Sequence, residues 1–410
     1  MNKQAPLPLF DSIENLEDQV ENIKEVDVPY PRDYQHTLSF LTSYNGNKAT
    51  FNAYRREVER LIHWSWHLQK KSIFDLRRAD IEVYLAFCQQ PPVEWIGIKK
   101  APRFIVKDAK RVPNPEWRPF VVTLSKAHHR LGRKPDPILY ELSQNALKEI
   151  FAILSSFYNF LIQEEATDVN PIAHIRQKSK YLRKQQSKAK IRRLSDLQWH
   201  YVIETAEIMA AENPIQHERT LFIMTALYAM YLRISELVAS ERWLPQMCDF
   251  HRDNDGLWWF TTVGKGNKER QIAVSQEMLA ALKRYRLHLG LTPLPTIADI
   301  SPLLPKINGK GPISSTTYVR EIVQNCFDCT MERLKNDGFH EDADALLAAT
   351  VHWLRHTGIS EDVKHRPREH VRDDAGHSSG AITDRYIDIE LRERHRSAKN
   401  KHIKPDGNNA

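Results

Sequence analysis

Between Arg176 and Arg193, nine of eighteen residues are Lys or Arg (Arg176, Lys178, Lys180, Arg183, Lys184, Lys188, Lys190, Arg192, Arg193) and none is acidic. So much like charge has no place in an apolar core, and the run reads as a linker or a solvated helix face with folded chain on either side. Its field attracts polyanions, which makes nucleic acid the expected partner. A length of 410 residues fits two domains, and 41% hydrophobic against 27% charged residues is enough apolar material for a core in each. Fourteen glycines are few for this length, which disfavours sandwiches and Gly-rich phosphate cradles; neither GxxxxGK[ST] nor GxGxxG occurs. The net charge of +7 is modest, so the clustering of cations matters more than their total. Four cysteines make no disulfide framework, and Cys326 and Cys329 fall in a helical pattern as a reduced, half-buried pair rather than a metal site. The longest apolar stretch, Leu221 to Leu232, is too short for a bilayer, and the polar N-terminus has no signal-peptide core. A cytoplasmic protein without membrane contact is expected.

Residues 1–34 are polar, acidic and Pro-punctuated and read as a flexible extension. Apolar positions recur at helical spacing from Thr50 to Lys71 (Phe51, Tyr54, Val58, Leu61, Ile62, Trp66), from Arg78 to Gln89, and from Gln144 to Glu164. They predict a helical domain over 35–175, interrupted by a Pro-rich and basic insertion, 91–137, that shows no clear period. After the linker (176–193), Ser195-Asp-Leu-Gln198 has the form of a capping box and opens a second domain, 194–399, followed by a polar tail, 400–410. Gly256 to Val274 carries β-branched and aromatic runs on either side of Gly264-Lys-Gly-Asn-Lys268, the mark of a hairpin. Helices resume over 275–289, 315–336 and from His352. The fold class expected is mainly α with a small antiparallel β-sheet, in two domains.

Three groups of residues have chemical potential. Leu221–Ser240 is apolar except for Arg233 and Glu236; at i, i+3 they form either a structural ion pair at a helix end or half of a phosphate site. His352 and Arg355, also at i, i+3, put an imidazole and a bidentate phosphate clamp on one helix, followed by Gly376-His377-Ser378-Ser379 and Asp384-Arg385-Tyr386. The His352-x-x-x-His356 spacing resembles a zinc motif, but Trp353 stands where the general-base Glu belongs and Arg355 would place a cation beside the metal. Lys265 occupies the hairpin turn, with Lys268 and Arg270 close by. Together these groups suit attack of a tyrosine hydroxyl on a phosphodiester: arginines clamp the non-bridging oxygens, histidines exchange protons, and a lysine protonates the leaving oxygen.

ALYAMYLRISEL with Arg233 and Glu236, VGKGNKERQIAV with Lys265, HWLRHT with His352 and Arg355, GHSS with His377 and TDRY ending at Tyr386 stand in the order seen in the tyrosine recombinases, the phage integrase family. Residues 192–396 resemble that family's catalytic domain and 35–175 its core-binding domain. The resemblance implies a C-shaped two-domain clamp on duplex DNA, with Tyr386 as nucleophile forming a 3′-phosphotyrosyl link. It implies that Arg233 and Arg355 bind the scissile phosphate, Lys265 protonates the 5′ oxygen, His352 handles proton transfer, His377 hydrogen-bonds the phosphate and Glu236 orients Arg233. The linker cations, Lys268 and Arg270 are expected to contact DNA. No cofactor and no metal is implied. The implied partners are duplex recombination sites, further copies of the chain (a dimer per site, a tetramer in synapsis) and a directionality or host architectural factor. Site-specific recombination for a mobile element is the leading reading. A type IB topoisomerase and a non-catalytic DNA-binding protein of the same fold are the alternatives. Two segments depart from the pattern: the 91–137 insertion, and the unusually charged stretch between Arg355 and His377, which contains Pro367 where the family has a more apolar helical pair.

Overall fold

The computed structural model describes residues 5–16, 28–44, 46–176, 192–264, 267–377, 379–380 and 382–383, and the chain divides into two units, 1–188 and 189–410. Most of the basic run, and Lys265, Tyr386 and the tail, lie outside the described residues.

The first unit is built on α1 (Pro31–Thr42), α2 (Lys48–His63), α3 (Arg78–Gln89) and, after the insertion, α5 (Gln144–Gln163). Asn47 caps α2 and Ser143 caps α5, each side chain accepting amides of the first turn. Helix α2 runs on into a π-helical segment, Trp64–Gln69, so the predicted helix to Lys71 changes its winding near Trp64. The core is aromatic: Phe40 packs against Tyr54, Phe157 and Phe160 with ring centroids 5.0 to 5.4 Å apart. Buried Asp33 on α1 accepts from Trp66 Nε1 at 2.8 Å, Ser72 Oγ at 2.6 Å and the Ile73 amide at 2.9 Å, which fixes the chain leaving the π-helical segment.

Residues 5–16 are not a loose extension. Leu9, Phe10 and Leu16 are buried, and the amides of Leu9 and Phe10 both donate to Oε1 of Glu59, at 2.6 and 3.2 Å. Glu59 is fully buried and pairs through Oε2 with Arg103, while Asp11 takes a fork from Arg111, including Nη2 at 2.7 Å. The expectation of a flexible arm over 1–34 is corrected for this stretch: a carboxylate some fifty positions away holds it.

The insertion is likewise structured. It contains β1 (Ile96–Gly97), paired in parallel with β4 (Phe120–Val121), the hairpin β2 (Phe104–Lys107) and β3 (Lys110–Pro113), and a short helix α4 (Lys126–Arg130). Trp95, Trp117 and Phe120 are buried beneath it, and Arg60 of α2 donates to the Pro119 carbonyl at 2.8 Å with its guanidinium 4.5 Å from the centre of the Phe120 ring. At the hairpin turn Asp108 and Ala109 both have positive φ, 51° and 61°, as a two-residue type I′ connection requires. The unit ends, as described, in α6 (Ala173–Arg176).

The second unit opens with α7 (Asp196–Glu212), where the Ser195–Gln198 capping box forms as expected. Helix α8 (Pro214–Ala229) lies at its centre, packed against α7, α10 (Gln276–His288) and α13 (Val351–Asp362). Trp199 stacks on Tyr228 at 4.0 Å and Phe222 on Tyr285 at 4.4 Å. Between α8 and α10 lie the short helix α9 (Ile234–Leu237) and the antiparallel sheet β5 (Phe250–Arg252), β6 (Trp258–Val263) and β7 (Glu269–Ala273), ordered β5-β6-β7. The expected hairpin is β6–β7; β5 joins it through Phe250 opposite Phe260. Helix α11 (Thr316–Asn336) covers α7, and α12 (His340–Leu346) precedes α13 and α14 (Arg368–Ala375). Cys326 is buried and Cys329 half-buried, both free thiols. Among the described residues no helix is long and apolar enough to cross a membrane.

Candidate active site

Arg233 does not sit within a continuous helix, as the apolar run suggested. Helix α8 stops at Ala229, Tyr231 turns the backbone left-handed with φ 50°, and Arg233 is the N-cap of α9. Glu236 closes a box on it: Oε2 accepts the Arg233 amide at 2.8 Å and Oε1 accepts Arg233 Nη1 at 2.9 Å. The carboxylate is 1% exposed and is also gripped bidentately by Arg270 of β7, at 2.7 and 2.9 Å. Burial alone would raise the Glu236 pKa, but Arg270 and Arg233 hold it below the usual carboxylate value, so it stays charged.

Arg270 is thereby corrected. All three guanidinium nitrogens are engaged, two with Glu236 and Nε with the Asp374 carbonyl at 3.0 Å, and its side chain is 10% exposed. It is an internal strut between β7, α9 and α14, where an exposed phosphate contact was expected. Lys268 remains exposed. Gly264, at the end of β6, lies flush against this cluster: a Cβ there would stand 3.0 Å from Arg270 Nη1, 3.3 Å from Glu236 Oε1 and 3.4 Å from Arg233 Nη1.

Two successive carbonyls at the end of α14 draw the arginines together. Arg233 Nη2 donates to Gly376 O at 3.4 Å, and Arg355 Nη2 donates to Ala375 O at 2.6 Å. Gly376 makes this possible with φ 62°; a Cβ would lie 2.9 Å from Arg270 Cδ. Arg355 is 5% exposed and its Nη1 also donates to the Tyr231 carbonyl. Arg233 is more open, with 27% of its side chain exposed.

His352 is solvent-exposed on α13, whereas Arg355 points inward, so the two do not share one open face as their spacing suggested. Burial and the neighbouring Arg355, Arg320 and Arg233 lower the His352 pKa. Burial, with Arg355, Arg233 and other cations, pushes His377 down to about 4; burial, His352 and Arg355 do the same to His356. His356 and His377 are therefore neutral at pH 7, and His352 is biased toward its neutral form. His377 Nδ1 lies 2.9 Å from the hydroxyl of Thr383, three residues ahead of Tyr386. His352 and His356 have ring centroids 6.4 Å apart, and among the described residues no three His, Cys, Asp or Glu gather as a metal would need.

The charged stretch after Arg355 proves to be an internal lattice. Arg366 joins Asp362 at 2.9 Å and also Asp374, and it donates to the Tyr231 hydroxyl at 2.9 Å; that hydroxyl in turn bonds Asp362. Burial would depress the Arg366 pKa, yet the two carboxylates hold it above its ordinary value. Asp374 further accepts the Ala273 amide of β7 at 3.3 Å. Charge thus fastens α14, in the stretch whose unusual charge set it apart in the sequence. Sequence reasoning missed Arg270, Arg366 and Asp374 as positioning groups; the density of opposite charges from Asp362 to Asp374 was the available sign.

No family model matches the chain. By sequence it is 26% identical over 145 residues, 35% of this chain, to the tyrosine recombinase XerD of Rickettsia conorii, and 29% identical over 150 residues to the tyrosine recombinase XerC of Pediococcus pentosaceus. Those stretches cover 44% and 42% of the two relatives, so the chain matches less than half the length of each. By structure it superposes on the XerH site-specific recombinase, bound to a palindromic difH substrate in a post-cleavage complex, with a TM-score of 0.52 at 14% identity, covering 97% of this chain and 99% of that one. The chain has the tyrosine recombinase fold. In that fold the mainly helical architecture and the small antiparallel sheet expected from the sequence are both present, the sheet with β5 as a third strand beside the expected hairpin. Of the expected active-site residues of a tyrosine recombinase, Arg233, Glu236, Arg355 and His377 converge around the end of α14. Lys265 and Tyr386 lie outside the described residues, as do the linker cations Lys178, Lys180, Arg183, Lys184, Lys188 and Lys190. Arg192 is exposed, Arg193 is half-buried, and of Arg176 only the backbone is described.

Proposed function

We propose that this protein is a site-specific DNA recombinase that breaks and rejoins strands through Tyr386. The observation that carries the reading is the convergence of Arg233 and Arg355, distant in sequence, on two adjacent carbonyls beside His377. One buried and one half-buried cation, fixed by backbone and carboxylate partners, form a preorganised anion site, which stabilises charge developing on a phosphorane without rearranging in the transition state.

In the proposed step the Tyr386 oxygen attacks the scissile phosphorus and the bond from phosphorus to the 5′ oxygen breaks. The phenolic proton passes to His352, whose burial and cationic neighbours favour the neutral form that can accept it; Lys265 protonates the leaving 5′ oxygen. Arg233 and Arg355 hold the non-bridging oxygens, His377 adds a hydrogen bond, and Glu236 with Arg270 keeps Arg233 aimed. Rejoining is the reverse, with a 5′ hydroxyl attacking the phosphotyrosyl bond. That bond conserves the energy of the broken linkage, so neither nucleotide hydrolysis nor a metal enters the scheme. Duplex recombination sites are the proposed substrates, two copies of the chain bind each site, and four assemble to exchange strands of a mobile element, with a directionality or architectural factor as a further partner. The proposed setting is the cytoplasm, on chromosomal DNA.

The test is covalent trapping. Wild-type protein in chelator is incubated with nicked suicide duplexes drawn from the junctions of its own genetic element. A denaturant-resistant adduct on the 3′ phosphate, absent with Tyr386→Phe and restricted to junction sequences, is the expected result. Adducts on any duplex would turn the reading toward a topoisomerase, and tight binding without adduct on any junction would leave a DNA-binding protein that does no chemistry.

A further inference from the structure

The insertion over 91–137 carries eleven Lys and Arg against four acids, a local charge of +7 that equals the net charge of the entire chain. Some of these cations are spent internally: Arg103 on Glu59, Arg111 on Asp11, and Arg118 on the carbonyls of Pro115 and Trp117. The tip of the β2–β3 hairpin is different. Every residue from Ile105 to Arg111 is exposed. Lys107 and Lys110 are cross-strand partners in register. Like charges directly opposite on a two-stranded ribbon repel, and they flank a turn in which Ala109 adopts a left-handed backbone that favours glycine. Both features cost the free hairpin stability, and a polyanion lying along the tip relieves the charge repulsion.

The base of the ribbon is rigid. Phe104 is buried, the Asn114 amide donates to Arg103 O at 2.8 Å, and the Asn114 side chain donates to Pro102 O at 2.7 Å. The Glu59–Arg103 and Asp11–Arg111 pairs tie it to α2 and to the docked N-terminal segment. Alternation along the strands puts Ile105, Lys107, Lys110 and Val112 on one face. A stiff, exposed two-stranded ribbon with two cations and two aliphatic residues on one face has the dimensions and the chemistry to enter a groove of duplex DNA, ammonium groups toward phosphates and aliphatic carbons toward sugar and base methyls.

We propose that the β2–β3 ribbon is a second duplex-DNA contact of this protein, separate from the proposed strand-cleaving centre, in which Lys107 and Lys110 bind backbone phosphates. The inference rests on the DNA-recombinase reading. Lysine is a point charge without the planar fork that reads guanine, so the contact strengthens binding to all sequences alike.

The test measures full-length protein on fluorescent junction and scrambled duplexes across a salt series, comparing wild type with the Lys107→Gln/Lys110→Gln double variant. The expected result is weaker binding to both duplexes by a similar factor, a salt slope smaller by about two, and a thermal midpoint no lower than that of wild type, since the opposed charges no longer repel. In parallel, Ile105→Cys bearing a benzophenone is irradiated on the same duplexes and is expected to cross-link to DNA; Ile105 lies on the same face as Lys107 and Lys110 and is exposed, so the label needs no room in the core. An unchanged slope together with no cross-link would overturn the ribbon contact while leaving wild-type binding and adduct formation intact. Wild type that binds duplex without salt dependence, or not at all, would overturn the recombinase reading and the ribbon with it. A ribbon that cross-links only to anionic vesicles would overturn the choice of DNA as its occupant.

Discussion

The carbonyl of Tyr231, turned inward by a left-handed backbone, accepts a hydrogen bond from the buried guanidinium of Arg355. A kink after α8 and a side chain on α13 thus define one wall of the proposed phosphate site together. Arg355→Ala leaves two buried carbonyls, Tyr231 O and Ala375 O, without a donor, and should lower unfolding free energy by about 1–3 kcal/mol. Arg355→Lys keeps the charge and can reach only one carbonyl. It should regain part of the stability in urea melts but little of the adduct yield, because a lysine cannot clamp a phosphate and two carbonyls at once.

Gly264→Ala tests the close approach of the β6 end to the charge cluster. The added methyl stands 3.0 Å from Arg270 and 3.3 Å from Glu236, so the cluster must shift by a few tenths of an ångström. Cleavage depends on alignment at that scale. Adduct formation should fall about tenfold or more while duplex affinity changes little; equal losses in both would place Gly264 in DNA binding rather than in alignment.

Acidification should destabilise the second unit through two histidines that the fold keeps neutral. His356 and His377 take up protons near pH 4 in the folded chain and near 6.5 when unfolded. The unfolded state therefore binds more protons between those values, and stability falls as pH drops from about 6.5 toward 4, then levels. The pair accounts for a few kcal/mol once both shifts are discounted for the solvent that reaches the rings. Urea midpoints of wild type and the His356→Gln/His377→Gln variant across that range measure it, and the variant's curve should be flatter.

Removing residues 1–16 should unsettle the first unit although no helix is cut. The deletion uncovers Glu59, takes away two of its donors and strips Leu9 and Phe10 from the core. Loss of buried apolar side chains and an undersatisfied buried carboxylate predicts a drop of several kcal/mol, visible as an early transition in thermal melts. Glu59→Gln in the intact chain should weaken the same transition by a smaller amount.

What could be read in the sequence was what short-range chemistry decides. The Ser195 capping box, the β6–β7 hairpin around Gly264 and the long apolar-striped helices each depend on residues within one or two turns of one another, and each forms where expected. Arg233 and Glu236 were legible as a pair for the same reason, although the helix break between them and α8 was not, since Tyr231 gives no local sign of a left-handed backbone. Strand β5 is three residues long and exists because Phe250 meets Phe260. The docking of Leu9 and Phe10 on Glu59, and the commitment of Arg270 to Glu236, join parts of the chain that only the tertiary fold brings together.

The lattice of Asp362, Arg366 and Asp374 around Tyr231 has a consequence for how the last helix comes loose. Beneath it, among the described residues, is a small cluster, Tyr231, Ile359, Val371 and Ala375 with half-buried Val363, set apart from the main core of the unit. Releasing α14 therefore exposes little apolar surface and breaks one ion pair, Arg366 to Asp374, together with the hydrogen bonds of Arg270, Arg355 and Ala273 to its end. Its opening should respond weakly to urea, the reverse of the helices around α8. Native-state hydrogen exchange would then show α14 as a foldon of its own, able to detach and return while the rest of the unit stays folded.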